Sequence, residues 1–369
     1  MAMVPIARKN LLADKVRLLV SIGGVTFAVI LVLVVRSLYE GYYREVGAFV
    51  DGMPVDVWVT QQGSGGLFYP SVIPDSSAER LAGIDGVRRA VAMDRQRMRI
   101  DYHGQPVDVI AMAFDVPSAS GALLGLPIPQ NGQIVIDAAT ANKFGIHLGD
   151  TLMLRGKPFV VSSVTSSAMV GLSGLAIVSW DDGGPLLEVP GYVSSWLVMT
   201  NPGVNAETVI TAIEATISGV EAFSRTDFAN ANRSQISGTF LPIIAVLLFV
   251  SFLVGSAVVA LTIYTAVTER LREFGVLKAI GAPTRVLYRI VLQQSAIVCS
   301  TGFAIGVPVT YLINQVAGNI VPEFITLMRW QDAALALGVV LAMAVVASIV
   351  PIRRISSIDP AEVFRAARR

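Results

Sequence analysis

The sequence predicts an α-helical membrane protein with four transmembrane helices and an α+β extracytoplasmic domain inserted between helices 1 and 2. Three observations predict it. Of 369 residues 53% are hydrophobic and only 15% charged, with a mean hydropathy of +0.64, against about a quarter charged in soluble domains. Uncharged runs occupy 18–35, 234–268, 290–322 and 333–352, each enough for the roughly 17–25 residues that carry a helix across a bilayer. Between the first two runs, residues 45–232 mix alternating apolar and polar positions with turn residues, as a folded aqueous domain does.

Residues 4–17 carry Arg8, Lys9, Lys15 and Arg17 against one acid, Asp14, and form a basic amphipathic lead-in. A basic start before an apolar run also describes a signal peptide. The charged and tyrosine-rich stretch 36–44 offers no small-residue cleavage site, so an uncleaved first span continuing as a helical stalk is expected, residues 1–44 in all.

In the domain, 55–60 alternates as a half-buried strand and 61–66 is a flexible turn. Ser76 and Glu79 have capping-box spacing and open a short helix to about Gly83. Two strands, 87–92 and 96–102, are expected, paired with 107–114 through a His103-Gly104 turn. A second, β-rich unit near 132–164 combines a strand at 133–137, a helix at 138–144 and strands at 151–155 and 158–164 about Gly156-Lys157. Strands at 175–180 and 195–200, a helix at about 205–217 and a strand at 220–224 complete it. Arg95, Arg97 and Arg99 share one strand face. They read as a solvated face, the functional alternative being contact with anionic lipid head groups or an acidic partner.

Residues 233–352 hold the remaining spans. The second, 240–267, is longer than a bilayer requires, so a helical extension beyond the outer surface is expected, and Gly255-Ser256-Ala257 lets another helix approach. The third, 286–316, contains Gly302-x-x-x-Gly306 and Pro308, a spacing that suits helix packing. Glu323, Arg329 and Asp332 mark a loop on the far side before the fourth span, 333–352. In the tail, 353–369, Asp359 can cap a short helix with Pro360 first and Glu362 third. Segments 1–17, 268–289 and 353–369 hold 14 of the 28 Lys and Arg, which places them, and both termini, in the cytoplasm.

Several chemistries are excluded. A net charge of +1 gives no field for nucleic acid. One cysteine, Cys299, makes no disulfide framework, and His103 and His147 have no ligand at metal spacing. The nearest imitation of a phosphate loop, 149–157, has wrong glycine spacing and Pro158 in place of the hydroxyl. No catalytic residue, cofactor or metal site is therefore expected. The uncharged runs hold no intramembrane carboxylate, which argues against a proton- or sodium-coupled pump, so energy is expected from a partner.

Between spans two and three lies a charged, helix-forming segment, 268–285. Leu271, Phe274, Leu277 and Ala279-Ile280 recur at three- and four-residue steps, and Gly281 and Pro283 stop the helix. The run Glu269-Arg270-x-Arg272-Glu273-Phe274-Gly275-x-Leu277-Lys278-Ala279-Ile280-Gly281-Ala282 resembles the cytoplasmic coupling segment of MacB/FtsX-type ABC transporter permeases. Pro351, Arg354, Ile358-Asp359-Pro360 and Glu362 resemble that family's C-terminal signature, with isoleucine where alanine is usual, and 132–164 resembles its small β-rich subdomain.

The resemblance implies a non-catalytic permease subunit in the bacterial cytoplasmic (inner) membrane. Its coupling helix, near 269–281, would dock on a separate ABC ATPase that binds ATP and Mg. Glu269, Arg270, Arg272, Glu273, Phe274, Gly275, Leu277, Lys278, Ala279 and Gly281 would carry the docking. Further implied partners are a second permease copy, a periplasmic adaptor or lipoprotein, and membrane lipid. The function expected is export or extrusion of an amphipathic drug, peptide, haem or lipid. Control of a cell-wall hydrolase, as in FtsX-like members, and a membrane-anchored sensor or structural protein without transport are the alternatives.

Overall fold

The structure, a computed structural model, describes residues 15–117, 123–165, 174–187, 190–269, 273, 276, 283–321 and 324–356. In chain order the elements are α1 (Lys15–Asp51), β1 (Val57–Gln61), β2 (Ile73–Pro74), α2 (Ser77–Ala82), β3 (Val87–Tyr102), β4 (Gln105–Phe114), β5 (Gln133–Asp137), α3 (Ala138–Phe144), β6 (Thr151–Leu154), β7 (Lys157–Thr165), β8 (Gly174–Val178), α4 (Trp180–Leu187), β9 (Tyr192–Val193), β10 (Ser195–Thr200), α5 (Ala206–Thr216), β11 (Val220–Ser224), α6 (Arg225–Glu269), α7 (Thr284–Ile320) and α8 (Trp330–Ser356). Two compact units result. One comprises Met1–Glu40, Phe240–Ala317 and Thr326–Arg369; the other comprises Gly41–Thr239 and Gly318–Ile325. α1 and α6 each contribute a part to both.

The sheet unit is organised by β3. Its first half, Val87 to Met93, pairs antiparallel with β10, and from Met93 onward it pairs with β4. The strand therefore does not break between 92 and 96, where two strands were expected. Met93 faces Ser195 on one side and Phe114 on the other, so the partner changes while the backbone stays extended. The sheet has nine strands in the order β11-β1-β10-β3-β4-β8-β5-β7-β6, and an additional β3–β6 pairing returns its far edge to Ile100 and Asp101. The β-rich unit expected from residue 132 is thus not separate: β3 belongs both to it and to the open half.

Alternation fixes the cores. In the open half, Val91 and Met93 point to a cluster with Trp58, Leu197 and Phe228, while Ala92 points to one with Val57, Val198 and the apolar faces of α2 and α5. In the closed half, Met98, Ile100, Phe159 and Leu154 fill the interior. The hairpin from β3 to β4 turns on His103 and Gly104, both at positive φ (52° and 78°), as a tight hairpin with right-twisted strands demands.

The helix unit has a different interior. Its core consists mainly of valines and alanines, with Leu33, Ile263, Leu287 and Cys299, from all four long helices, among them Val25, Val259, Val291, Val340 and Ala344. Its outer faces are apolar: Phe27, Phe249 and Leu261 are 62%, 62% and 66% exposed. In water such surface is unfavourable and marks a binding face; in hydrocarbon it is the required solvent-facing side. Among the described residues, four helices are long and apolar enough to cross a membrane.

Candidate functional site

α1 packs against two partners through the absence of side chains. On α7, a Cβ added at Gly302 would lie 2.7 Å from Val25, and one at Gly306 would lie 2.7 Å from Val29. Both distances are shorter than any real contact, so only glycine lets the two backbones approach this closely. The Thr26 hydroxyl uses that proximity to donate to the Gly302 carbonyl (3.2 Å). On α6, Gly255 sits against Ala28, and Val258 lies against Gly24. The Ser21 and Thr262 hydroxyls are hydrogen-bonded, and Ser295 meets Ser348 at 2.8 Å between α7 and α8.

At one end of this unit stands Glu269, the first residue of the expected docking face and the last of α6. Arg17 of α1 holds it with two parallel hydrogen bonds, Nη1 to Oε2 at 3.0 Å and Nη2 to Oε1 at 2.8 Å. Glu269 is 61% exposed, so the pair orients the helix end more than it stabilises it; such bridges contribute about 0–1 kcal/mol. Glu273 is helical and exposed, as is Val276. Arg270, Arg272, Phe274, Gly275, Leu277, Lys278, Ala279 and Gly281 lie outside the described residues, as do the start of the lead-in and the tail beyond Ser356. α7 begins at Thr284.

A second charged site lies in the same unit. Arg36 and Glu40 fall on the helical continuation of α1 past its apolar run, where a stalk was expected, and Asp332, expected in a loop, lies near the start of α8. Arg36 Nε donates to Asp332 Oδ1 (3.1 Å), and its Nη2 donates to Glu40 Oε1 (2.9 Å). Arg329 donates to Glu40 as well, and its backbone amide lies 3.3 Å from Asp332 Oδ2. Asp332 is 1% exposed. Two guanidinium groups and two carboxylates therefore neutralise one another, which is how buried charges are tolerated. The Leu327 amide donates to the Ser37 carbonyl (2.8 Å), fastening the segment before α8 to α1.

In the sheet unit, α1 and α6 meet again. Arg233 pairs with Asp51, and its guanidinium lies across Gly47, where any Cβ would overlap it. Phe49 and Val50 of α1 and Phe228 of α6 enter the same core, and Phe228 stacks on Trp58 with centroids 4.6 Å apart. Hydropathy identified the apolar runs of these helices but not these contacts. A capping Ser224-Arg-Thr-Asp227 pattern, whose Ser224 hydroxyl accepts from the Asp227 amide at 3.1 Å, was the available signal for the start of α6.

Both histidines lie near the Asp150 carboxyl. His103 is a turn residue, and His147 is exposed and donates its amide to Asp150 (2.8 Å). That bond and one from the Tyr102 hydroxyl hold the Asp150 carboxyl below its ordinary pKa.

Comparison with known proteins bears on these features. Residues 18–216 match the family described as MacB-like periplasmic core domain, and residues 245–360 match the FtsX-like permease C-terminal family. The uncharacterized ABC transporter permease Rv0072 of Mycobacterium tuberculosis is 24% identical over 355 residues, covering 95% of this chain and 96% of that protein. The uncharacterized ABC transporter permease YknZ of Bacillus subtilis is 21% identical over 400 residues, covering 98% of each. The macrolide export ATP-binding/permease protein MacB of Escherichia coli is 27% identical over 172 residues, 44% of this chain and 26% of that one. Among solved structures, the periplasmic region of MacB from Actinobacillus actinomycetemcomitans aligns with a TM-score of 0.37 at 13% identity, covering 52% of this chain and 96% of that one. With the first match spanning more than half of the chain and the second most of its C-terminal third, the chain belongs to the MacB/FtsX-type ABC transporter permeases.

Proposed function

We propose that this permease passes ATP-driven movement of a separate ATPase to its sheet unit, which acts outside the cytoplasmic membrane to export or extrude an amphipathic substrate. The family supports an ABC ATPase partner. The observation that carries the rest is that α1 and α6 are each unbroken helices with a part in both units. The pair is tied by Arg17–Glu269 in one unit and by Asp51–Arg233 in the other. Force applied next to Glu269 then enters two helices at once.

In this reading the segment 269–281 docks on the ATPase, with Phe274 as its apolar anchor and Gly281 permitting the helix stop. Both termini are cytoplasmic, the permease works as a dimer with two ATPase subunits, and an adaptor or lipoprotein takes the substrate onward. ATP and Mg are bound by the partner alone.

The test is co-purification with the ATPase and measurement of permease-stimulated ATP hydrolysis. Phe274→Ala and Gly281→Val should each lower stimulation about tenfold, the effect of removing about 1.4 kcal/mol of anchoring at an interface. Wild-type stimulation and transport in both variants would refute the docking. Failure to recover any nucleotide-hydrolysing companion would favour the sensor or structural reading.

A further inference from the structure

Arg95 does not lie on a solvated face. The turn around 66–70 folds over it, and Nη2 donates to the carbonyls of Gly66 (3.2 Å) and Tyr69 (2.8 Å). Burial lowers its pKa to about 10, which still leaves a full positive charge at neutral pH. No carboxylate among the described residues pairs with it, and Nη1 is buried without an acceptor. Its neighbours on the strand behave differently: Arg99, 69% exposed, pairs with Asp108 at 3.1 Å. An unsatisfied, desolvated guanidinium is costly, and the cost is removed when an anion takes the open donors.

Two cavities adjoin this cation. One, of about 330 Å³, is lined by Phe68, Tyr69, Arg95, Gln96 and Arg97, among others. The other, of about 170 Å³, is lined by Val72, Asp94, Arg95, Gln96, Tyr192 and neighbours. Arg95, Gln96 and Pro70 belong to both walls. The Gln96 Oε1 is also buried without a donor. The rim is apolar and exposed: Tyr69 at 55%, Val72 at 41% and Tyr192 at 46%. A combined space of this order holds a small ligand; the larger cavity, with Arg95 and Arg97 and no carboxylate in its wall, has the chemistry of an anion receptor, while Asp94 keeps an anion out of the smaller one and leaves it to the apolar part of the ligand.

We propose that the cavities flanking Arg95 form one binding site for an amphiphile with an anionic head group, a carboxylate or phosphate monoester. The head takes the open guanidinium donors, and the apolar body lies on Tyr69, Val72 and Tyr192. Gln96 Oε1 accepts from a hydroxyl or amide adjoining the anion. This deepens the export reading by naming a ligand class, and it is tested without ATPase or nucleotide, so that its failure leaves the docking question untouched.

The experiment is calorimetric titration of the full chain in lipid nanodiscs with octanoate, octyl phosphate and octylamine, with empty nanodiscs subtracted. Saturable binding of octanoate or octyl phosphate is expected, the tighter of the two assigning the head group, with octylamine not bound. Arg95→Gln should weaken binding at least about tenfold, as loss of charge-assisted hydrogen bonds does, and Arg99→Gln should change nothing. Because Arg95 also pins the turn, Tyr192→Ser, a rim change that leaves those carbonyl bonds in place, is the second variant; a loss of about threefold is expected from its reduced apolar area. Absence of saturable binding, octylamine bound as tightly as the anions, or anion binding that survives both substitutions would overturn the site.

Discussion

In the sheet unit the largest side chains do the packing: Trp58, Phe114, Phe159 and Phe228 are all less than 2% exposed. In the helix unit, among the described residues, the fully buried core cluster contains no aromatic residue, and α1 and α7 approach closely where a side chain is missing, at Gly302 and Gly306. The difference follows from the solvent. In water, burial of large apolar groups drives association. In hydrocarbon that drive is gone and helices associate through close van der Waals contact and hydrogen bonds, which small residues permit. A large-to-small change should therefore injure the first unit, and a small-to-large change the second.

The largest effect is expected from Trp58→Ala, which removes the partner of Phe228 and should destabilise the sheet unit by about 3–5 kcal/mol. Limited proteolysis across a denaturant series would report it, and wild-type resistance would show that the aromatic stack does not hold the unit. Asp332→Leu comes next, because it leaves Arg36 short of a buried carboxylate; about 3 kcal/mol is expected. The double variant with Arg36→Met should recover part of that loss, and a double variant as unstable as the single would deny the coupling.

Glycine separates the units more finely. Gly302→Ala forces a methyl against Val25 and should cost about 1–3 kcal/mol. Gly338→Ala, at a position where a Cβ meets nothing within 4 Å, should instead stabilise α8 by up to about 1 kcal/mol. Thermal unfolding of both in the same detergent provides the check, and equal shifts would erase the distinction.

The smallest effect concerns Asp94, whose carboxyl is raised above 3.8 by burial, partly offset by hydrogen bonds from Ser194. A carboxyl with a raised folded-state pKa favours folding only at acid pH, and that contribution is lost as pH rises from about the ordinary value through the raised one. Asp94→Asn should thus raise the midpoint of sheet-unit unfolding at neutral pH by no more than about 2 °C, with no gain below pH 3.8. A gain that persists in acid would assign the effect to something other than ionisation.

Much of this was legible in residue order, for identifiable reasons. The β5–α3 unit declares itself because Asp137 caps its helix, accepting from the Thr140 amide at 2.9 Å, and Gly145 ends it in the left-handed region. The apolar runs needed only hydropathy. α4 escaped notice because Trp180–Leu187 contains two glycines and a proline, all poor helix formers. It forms because Gly183 sits where a Cβ would strike Ala113 and because Ser179 and Asp182 cap each other. The Ser179-x-x-Asp182 spacing was the one cue. Arg95 escaped for another reason: alternation places it beside Arg97 and Arg99, and only the tertiary position of the 66–70 turn covers it. The charged cluster was hidden likewise, since Arg36 and Asp332 are 296 positions apart.

The seating of Val25 and Val29 against the bare backbone at Gly302 and Gly306 restricts which way α1 can go. One residue of helix corresponds to about 100° of rotation, so even a modest turn about its own axis would swing two isopropyl groups out of their recesses and into the wall beside them. α1 is in this respect a key in its slot: it can lean, but spinning or sliding lengthwise would each lift Val25 and Val29 out of those recesses.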